Sequence, residues 1–459
     1  MLSLSPFYVK ICLISIILGM QEENMKLLFT NATVVTMNPA APVLYNADVS
    51  INLGKIESIS EGAFPKKTGE KPDRIINCTN KVLMPGLYNC HTHAGMTLFR
   101  GFANDLALED WLFNHLIPAE GKLTPDLVRT GTILAMAEML ASGTISFSDM
   151  YCDMDIVARA ADEVGMLANV SNGVIGFDAD FDYFASKEYE QTLRAAEEYK
   201  GSGRIKVDAA IHGVYTSPPG VWAQAADFAQ KNNMRMHVHL SETATEQKNC
   251  IKNYAKTPTQ AFAEQGVFDI PATAAHGVWV TDEDIAILAE KGVTIAHNPL
   301  SNLKLASGLA PVAKMQKSGV NVALGTDGMA SNNSHDLFEE MKMASLLQKY
   351  IMEDPTILPA SEAVKMATVN GARSQGRENE SGKIAEGYDA DILLLDFNTP
   401  RQTMCYDPVL NLAYSAGGRD VEMTLVRGEI LYEKGEFTTI DIEKTLHDAR
   451  TAKKIFSEI

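Results

Sequence analysis

Residues 82–93 read VLMPGLYNCHTH, a short apolar segment that runs into a His-x-His pair. On an extended strand alternate side chains point to the same face, so His91 and His93 can both approach one ligand. Two imidazoles a few ångströms apart on one face suit a divalent metal ion. Because a single His-x-His pattern also arises by chance, its meaning depends on what the rest of the chain supplies.

Seven further short apolar segments follow, and most are separated by stretches of helical composition. They cover residues 144–148, 167–174, 205–211, 236–240, 272–276, 293–297 and 320–325. With residues 82–85 they make eight strands that alternate with helices, which predicts an α/β fold with a closed (β/α)8 TIM-like barrel. In such barrels the active site lies at the carboxyl ends of the strands.

The helix expected before the second strand has clear limits. Thr124 can cap its start, with Pro125 at the first helical position and Gly143 just beyond its end. Gly131 is the one weak point inside it, because glycine costs about 1 kcal/mol relative to alanine within a helix.

Strand-rich sequence flanks the barrel on both sides, which predicts a small β-sandwich domain built from both termini. Residues 25–84 and 380–440 form this composite domain, residues 85–379 the barrel and residues 441–459 a C-terminal helix. Residues 1–24 are expected to lie outside the fold, since the first strand pattern begins at Met25. Their apolar run is too short to span a bilayer and lacks a small-residue cleavage site, so secretion is the less favoured alternative.

The composition is that of an ordinary globular protein, with 46% hydrophobic and 21% charged residues among 459. A net charge of −18 without a Lys- or Arg-rich run argues against a nucleic-acid partner, because the phosphate backbone is repelled. Six scattered cysteines without a CxxC pair indicate reduced thiols in the cytoplasm, and no membrane partner is expected. The expected partner is a small-molecule substrate, and a homo-oligomer stays open.

Other predicted strand ends carry side chains that suit the same metal ion. The fifth strand ends in His237-Val-His239 and is followed by Glu242, the sixth ends in His276, and the eighth runs into Asp327. On these grounds alone either histidine of the 237/239 pair can serve. Because strand ends meet at one rim of a barrel, three imidazoles and one carboxylate predict a site for a divalent ion.

Five segments together resemble the ordered signatures of the amidohydrolase superfamily: PGLYNCHTH, HVHLSET, AAHGVWV, HNPLSNLKLASG and LGTDG. The resemblance runs from about Met25 to the C-terminal β segment and is strongest to the 5′-methylthioadenosine/S-adenosylhomocysteine deaminase branch, alongside chlorohydrolase-like relatives. It implies a hydrolase of a cyclic amidine C–N bond that deaminates an adenosine-type purine nucleoside. Methylthioadenosine, S-adenosylhomocysteine and 5′-deoxyadenosine are the expected substrate classes.

The resemblance also implies a role for each strand-end residue. Four residues hold the metal: His91, His93, His239 and Asp327. The family's glutamate follows its ligand histidine by three residues, so Glu242 protonates the ring nitrogen, while Asp327 accepts a proton from water and His276 stabilises the intermediate. Strand four carries no lysine at its end, which implies one ion, with zinc expected and Fe²⁺ or Mn²⁺ as alternatives.

Three outer residues are implied to bind the substrate together with Glu242 and Asp327: Trp111, Glu120 and His212. Trp111 and Glu120 resemble positions that meet the apolar tail and the ribose hydroxyls. One departure concerns Asn172, which stands where these deaminases carry an arginine after strand three. Its neutral amide is a weaker partner for a charged amino-acid tail, so a neutral tail loses less.

The HNPLSN segment after strand seven is expected to shape the rim of the site. Asn298, Ser301 and Asn302 are its matched residues, with His297 as a partner behind the metal ligands. No chemistry is assigned to them.

Three other functions stay open at this level. A related aminohydrolase or chlorohydrolase would act on guanine, a pterin or a triazine, and ammonia release across a substrate panel would separate these. A non-catalytic binding protein on the same scaffold is disfavoured, because every expected ligand is present together with Glu242 and His276. A cyclic-amide hydrolase of the dihydroorotase kind is disfavoured by the missing strand-four lysine.

Overall fold

The first strands of the chain belong to a β domain. The computed structural model describes residues 25–62, 71–106 and 110–456, so the expectation for residues 1–24 falls outside the described part. Five strands precede the barrel: β1 Leu27–Val35, β2 Val43–Asn52, β3 Lys55–Glu61, β4 Arg74–Asn77 and β5 Lys81–Pro85. Alternating burial along β1, where Leu27 and Phe29 are buried, gives these strands one apolar face.

The next nine strands fill the eight positions of a parallel barrel. They are β6 Leu87–Thr92, β7 Thr144–Met150, β8 Leu167–Ser171, β9 Ile205–Val207, β10 Ala209–Ile211, β11 Met236–Leu240, β12 Ala272–His276, β13 Thr294–His297 and β14 Asn321–Leu324. The N–H groups of Thr326 and Asp327 donate to the carbonyl oxygen of His91 at 3.1 and 2.9 Å. These bonds join the end of the last strand to the first, and the predicted (β/α)8 barrel is confirmed.

Several strand limits differ from the prediction, and two of the differences change how the strands pair. Residues 82–85 belong to β5, which pairs with β1 in the β domain, so the first barrel strand is β6, after Gly86. The chain is buried throughout this stretch, and no polar break marks the change of sheet. The predicted strand 205–211 is divided at Asp208, where pairing changes from β8 to β11 and the carboxylate accepts hydrogen bonds from Asn169 at 3.0 and 3.3 Å.

Four strands near the C-terminus complete the β domain: β15 Ile392–Asp396, β16 Val421–Val426, β17 Glu429–Glu433 and β18 Glu436–Phe437. Within the described residues they join the N-terminal strands in a nine-stranded sheet of order β18-β17-β16-β15-β5-β1-β2-β3, with β4 beside β1. Phe29, Ile51, Leu394 and Leu425 are part of its apolar core, which is separate from that of the barrel. Both ends of the chain therefore contribute to one small domain.

Helices connect the barrel strands and surround them. The α-helices are Ile117–Glu120, Pro125–Ala141, Met154–Val164, Lys187–Glu198, Pro219–Lys231, Ala244–Tyr254, Pro258–Glu264, Asp282–Glu290, Pro299–Lys304, Val312–Lys317, Leu337–Ile351, Ala360–Ala367, Val369–Ser374, Pro408–Tyr414 and Ile442–Phe456. Short 3-10 turns lie at Ala94–Phe99, Tyr183–Ala185 and Gly418–Asp420, and a π-helix at Trp111–Leu116. In the described ranges, no helix combines the length and apolar character needed to cross a membrane.

Gly131 has a packing role inside the helix Pro125–Ala141. A Cβ at this position would lie 2.3 Å from the carbonyl oxygen of Gly95, in the 3-10 turn directly after His93. Glycine therefore lets the helix approach the backbone beside a candidate metal ligand, which explains a residue of low helix propensity in this place.

We expect Gly131→Ala to lower the free energy of unfolding by roughly 1–3 kcal/mol, because the added methyl group must displace backbone. Helix propensity alone predicts the opposite sign, a gain of about 1 kcal/mol. Gly220→Ala is the matched control, since Gly220 lies in the first turn of the helix Pro219–Lys231 with open space around its Cβ position. Urea denaturation of both variants measures the difference, and a stabilised Gly131→Ala would contradict this account.

Candidate active site

The predicted metal ligands lie together at the carboxyl-terminal rim of the barrel. His91 lies at the end of β6 and His93 just after it, His239 lies in β11, and Asp327 follows β14. The parallel register of β11 and β12 places Leu240 opposite His276, which brings this histidine to the same rim. All of these side chains are buried except that of His93, which is partly exposed.

The ligand atoms of these residues converge. Oδ1 of Asp327 lies 3.2 Å from Nε2 of His93 and 3.5 Å from Nε2 of His91. Ligand atoms lie within 4.8 Å of one another in two overlapping sets: His91, His239 and His276, and His91, His93 and Asp327. Nε2 of His91 is buried and has no hydrogen-bond partner in the described part of the chain. An unpartnered imidazole nitrogen that faces a carboxylate and other imidazoles fits a bound divalent cation.

Each imidazole is oriented through its other nitrogen. Nδ1 of His91 lies 2.9 Å from Nε2 of His237, and Nδ1 of His276 lies 2.9 Å from Oδ1 of Asn302. Backbone carbonyl oxygens hold the other two rings: that of Met150 lies 2.5 Å from Nδ1 of His93, and that of His212 lies 2.7 Å from Nδ1 of His239. Such bonds fix the ring and direct Nε2 toward the centre. Burial lowers the pKa of His91 to about 4 and that of His239 well below its ordinary value, so both rings are neutral at pH 7 and able to coordinate.

His237 lies behind the site instead of at its centre. It shares the inner face of β11 with His239, two residues earlier, and its Nε2 meets Nδ1 of His91. The Nε2 atom of His239, in contrast, lies 3.3 Å from that of His93. This geometry favours His239 as the ligand of the pair and gives His237 the task of orienting His91.

The HNPLSN segment holds polar groups of the site in place. Ser301 and Ser331 donate to Oδ2 of Asp327 at 2.6 and 3.0 Å, so that Oδ1 faces the histidines. Asn302 orients His276 through its Oδ1 atom. His297 forms no hydrogen bond to any described residue, so the structure gives no direct contact through which it supports the ligands. Burial lowers its pKa to about 3, and it lies in the interior as a neutral ring.

Glu242 and His276 face each other beside the ligand cluster. Oε2 of Glu242 lies 3.8 Å from Nε2 of His276, and Ser307 donates to Oε1 at 3.3 Å. Burial raises the pKa of Glu242, because the charged carboxylate loses its hydration, while His276 partly opposes this effect. A carboxyl group with a raised pKa keeps its proton closer to neutral pH and can act as an acid.

A cavity of about 530 Å³ opens onto the cluster. Five residues of the cluster line it: His93, His239, Glu242, His276 and Asp327. Trp111, Glu120 and His212 line the same cavity, so the structure brings these sequence-predicted contacts together. His91 stands behind the lining, against His237. The volume suits a ligand of nucleoside size.

Tyr151 is a cavity residue that sequence reasoning missed. Its hydroxyl donates to Oε1 of Glu120 at 2.7 Å. A Cβ added at Gly95 would lie only 2.5 Å from the ring of Tyr151, so the glycine makes room for this ring. Strand β7 reaches Met150, two residues beyond the predicted limit, and so carries Tyr151 to the rim. The alternation of Ile145 and Phe147 is broken by Asp149, so the sequence pattern did not signal that the strand continues. Burial raises the pKa of Glu120, against the effect of the Tyr151 hydroxyl.

Asn172 lies in the cavity wall, but its amide is engaged by a neighbour. Nδ2 donates to Oε1 of Gln191 at 2.7 Å, and Gln191 donates in turn to Asp153 at 3.2 Å. Lys187 and Glu188, at the start of the following helix, line the same cavity. Sequence reasoning missed both, because the packing of a helix against a strand end is not readable from the chain.

Comparison with known proteins gives consistent matches over most of the chain. The model of the amidohydrolase family matches residues 82–431. A 5-methylthioadenosine/S-adenosylhomocysteine deaminase of Acetivibrio thermocellus is 43% identical over 435 residues, which are 94% of this chain and 99% of the relative. A 5′-deoxyadenosine deaminase of Methanosarcina mazei is 42% identical over 430 residues, which are 93% of this chain and 97% of the relative.

Solved structures share the fold. An adenosine deaminase from Xanthomonas campestris with bound zinc aligns with a TM-score of 0.90 at 32% identity, over 95% of this chain and all of the other. An atrazine chlorohydrolase from Arthrobacter aurescens, complexed with zinc, aligns with a TM-score of 0.84 at 23% identity, over 93% of this chain and 100% of the other. The second likeness concerns the fold alone.

We expect His239→Ala to lose tight zinc binding, because it removes one of four candidate ligands. His237→Gln should keep the ion but bind it about ten- to a hundredfold more weakly, since only the orientation of His91 is disturbed. Zinc content after dialysis, together with chelator competition, measures both effects. Equal loss of zinc in the two variants would contradict the distinction between a ligand and its support.

Proposed function

The chain belongs to the amidohydrolase family and catalyses hydrolytic deamination of adenosine-type nucleosides, and we propose that it does so with one divalent ion and favours an uncharged 5′ group. One observation carries the proposal: Glu242, His276 and Asp327 lie around one cavity of nucleoside size, beside the clustered ligand atoms of the histidines. Ammonia release from 5′-deoxyadenosine, methylthioadenosine, S-adenosylhomocysteine and guanine tests it directly. Turnover of guanine but of no adenosine compound would overturn the proposed substrate class.

The donor set supports a single zinc ion held by His91, His93, His239 and Asp327. When bound, such an ion acts as a Lewis acid and makes hydroxide available from water near neutral pH. The end of strand four carries His212 in place of a bridging lysine, and Nζ of Lys206 is engaged with the oxygen of Gly376 at 2.6 Å. Fe²⁺ and Mn²⁺ tolerate the same ligands, and the relative of known structure with bound zinc favours zinc.

The residues around the ion perform the proton transfers. Glu242 donates a proton to N1 of the purine, which breaks the aromaticity of the ring and makes C6 electrophilic. Asp327 accepts the proton that water gives up as the new C6–O bond forms, and the Nε2 side of His276 stabilises the developing charge. Asp327 then returns its proton to the amine, the C6–N bond breaks and ammonia leaves, and the proton of the C6 hydroxyl passes to Glu242, which restores the acid. The products are the inosine analogue and ammonia.

The outer cavity recognises the sugar and the 5′ group. Glu120, held by Tyr151, offers a carboxylate to the ribose hydroxyls, and Trp111 offers an apolar wall. Phe113, Ile175 and Phe177 line the cavity although they are partly or largely exposed. Exposed aromatic and aliphatic side chains around a cavity mouth suit an apolar substituent such as a methylthio group.

The other substrates considered from the sequence have weaker support. Guanine and triazines are the substrates of solved neighbours that are 22 and 23% identical, and at that level the likeness concerns the fold. The relatives at 42 to 46% identity are all deaminases of adenosine-type compounds. An adenosine-type substrate is therefore the better supported class.

We propose that the enzyme works in the cytoplasm on a small molecule. The cysteines of the described residues are free, which suits a reducing compartment. Burial raises the pKa of the Cys90 thiol to about 12, so it is an unreactive core residue.

We expect Glu242→Gln to keep its zinc while kcat falls about a hundred- to ten-thousand-fold, the usual contribution of a general acid. The amide retains the shape of the side chain but has no acidic proton to transfer to N1. Steady-state kinetics with 5′-deoxyadenosine, beside zinc analysis of the same preparation, make the measurement. Near-normal turnover would show that another group donates the proton.

We expect kcat/KM for methylthioadenosine or 5′-deoxyadenosine to equal or exceed that for S-adenosylhomocysteine, because Asn172 offers only neutral hydrogen bonds. A charge-assisted bond contributes roughly 1.5–3 kcal/mol, about ten- to a hundredfold in binding. Asn172→Arg should therefore shift the ratio toward the homocysteine compound.

Lys187→Ala is the control for this ratio, because Lys187 is a cation that lines the same cavity. A tenfold or greater wild-type preference for S-adenosylhomocysteine would contradict the prediction. If Lys187→Ala then abolished that preference, the tail would be anchored on the helix after strand three.

A further inference from the structure

We infer that Glu246 is a positioning residue for Glu242, acting as a carboxylate clamp on the turn that presents it to the substrate. The inference rests on the proposed function, since it concerns the acid of that reaction. The clamp is defined by Glu246 and the two backbone N–H groups of Ser241 and Glu242.

Both oxygens of Glu246 are used on this turn. Oε1 accepts the N–H of Ser241 at 3.0 Å, and Oε2 accepts the N–H of Glu242 at 2.7 Å. Glu246, Ser241 and Glu242 are all buried, so water does not replace these bonds. Hydrogen bonds to an ionised acceptor are roughly twice as strong as neutral ones.

An ordinary helix cap does not account for this arrangement. Thr243 caps the helix Ala244–Tyr254, and Glu246 occupies the third helical position, from which a capping-box glutamate binds the N–H of the cap residue itself. Here the carboxylate reaches past Thr243 to the two residues before it. Its bonds therefore fix the chain outside the helix, where Glu242 leaves the strand.

The clamped turn has a conformation that needs support. Ser241 has φ +48°, in the left-handed region that side chains other than glycine adopt at a cost. Its carbonyl oxygen accepts the N–H groups of Val278 and Trp279 at 3.0 and 2.8 Å. The N–H groups of Ser241 and Glu242 are thus held by Glu246, and the carbonyl oxygen of Ser241 is held by Val278 and Trp279. Of these groups, Glu246 is the one that binds the backbone of Glu242 itself.

The effect of the clamp is specific to Glu242. His276, across the cavity, has its own support, because its Nδ1 is bonded to Oδ1 of Asn302 at 2.9 Å. The metal ligand His239 is oriented by the carbonyl oxygen of His212 at 2.7 Å. Loss of the clamp therefore displaces the acid while the ligands keep their supports.

Glu246→Gln is the decisive variant, because an amide presents an NH₂ group to one of the two N–H donors and breaks that bond. We expect kcat for 5′-deoxyadenosine to fall about ten- to a hundredfold, as for a catalytic group displaced by about 1 Å, with KM and zinc content nearly unchanged. In a Glu242→Gln background the same change should lower kcat within about twofold, because the residue through which it acts is already disabled. Assays well above pH 7 keep Glu246 ionised, since burial raises its pKa to about 7.

Asp284→Asn is the matched control. Asp284 is a buried acid at the third position of the helix Asp282–Glu290, and it binds the N–H of its own cap, Thr281, at 2.9 Å. This variant should lose thermal stability while kcat stays at the wild-type value. If Glu246→Gln does not fold, Glu246→Asp, which keeps the charge but shortens the reach, should show the same fall in kcat without a change in KM.

The outcomes separate the inference from the proposed function. Wild-type protein that releases no ammonia from any adenosine compound refutes the proposed function. An active wild type together with unchanged kcat in Glu246→Gln refutes only the clamp. If Glu246→Gln lowered kcat by the same factor in the wild-type and Glu242→Gln backgrounds, the clamp would also be refuted. Such an equal effect would indicate a general loss of structure.

Discussion

The pairing of the last barrel strand with the first is the contact on which the rest of the site depends. The carbonyl oxygen of His91 accepts the N–H groups of Thr326 and Asp327, and these same segments carry three of the four candidate ligands. The contact that closes the barrel therefore also brings these candidate ligands together. Gly325 permits the close approach, because a Cβ there would lie 2.9 Å from the backbone nitrogen and oxygen of His91. A site on such a seam is as rigid as the strands themselves, which is what fixed coordination requires.

Most of the polar side chains buried at this rim are held by a defined hydrogen-bond partner. The imidazoles are bonded through Nδ1 to a carbonyl oxygen, an amide or another imidazole, and Asp327 is bonded through Oδ2 to two serines. A buried polar group without a partner costs about 1–3 kcal/mol, so the unpartnered Nε2 of His91 is informative. It is the position that a bound cation would complete in the proposed site. The same burial lowers the pKa of His91 and His239 and raises that of Glu242, whereas the carboxylate of Asp327 raises the pKa of His93 to about 9 despite its burial.

The inner and outer parts of the cavity have separable tasks. In the proposed reaction Glu242, His276 and Asp327 act on atoms that every adenosine-type substrate shares, so their geometry says nothing about the 5′ group. The outer wall includes Asn172, which is turned toward Gln191, and Lys187 on the neighbouring helix, and we propose that it selects the 5′ group. Substitutions at the outer wall are therefore expected to change the substrate ratio, whereas those at the inner wall change the rate for every substrate.

Local pattern determined much of this protein. The eight apolar segments, the His-x-His spacing and the caps around Thr124 and Gly143 follow from periodicity and backbone chemistry, which neighbouring residues express by themselves. The same pattern placed the candidate ligand histidines, Glu242 and Asp327 at the predicted strand ends. It did not separate His237 from His239, because both lie on one face of β11. In the structure Nε2 of His237 meets His91 whereas Nε2 of His239 meets His93, and this difference favours His239 as the candidate ligand. Nor did the pattern show that residues 82–85 pair with β1, that Tyr151 holds Glu120, or that Glu246 clamps the turn of Glu242. Each of these depends on which segments meet in space, and that is decided by the packing of the whole barrel.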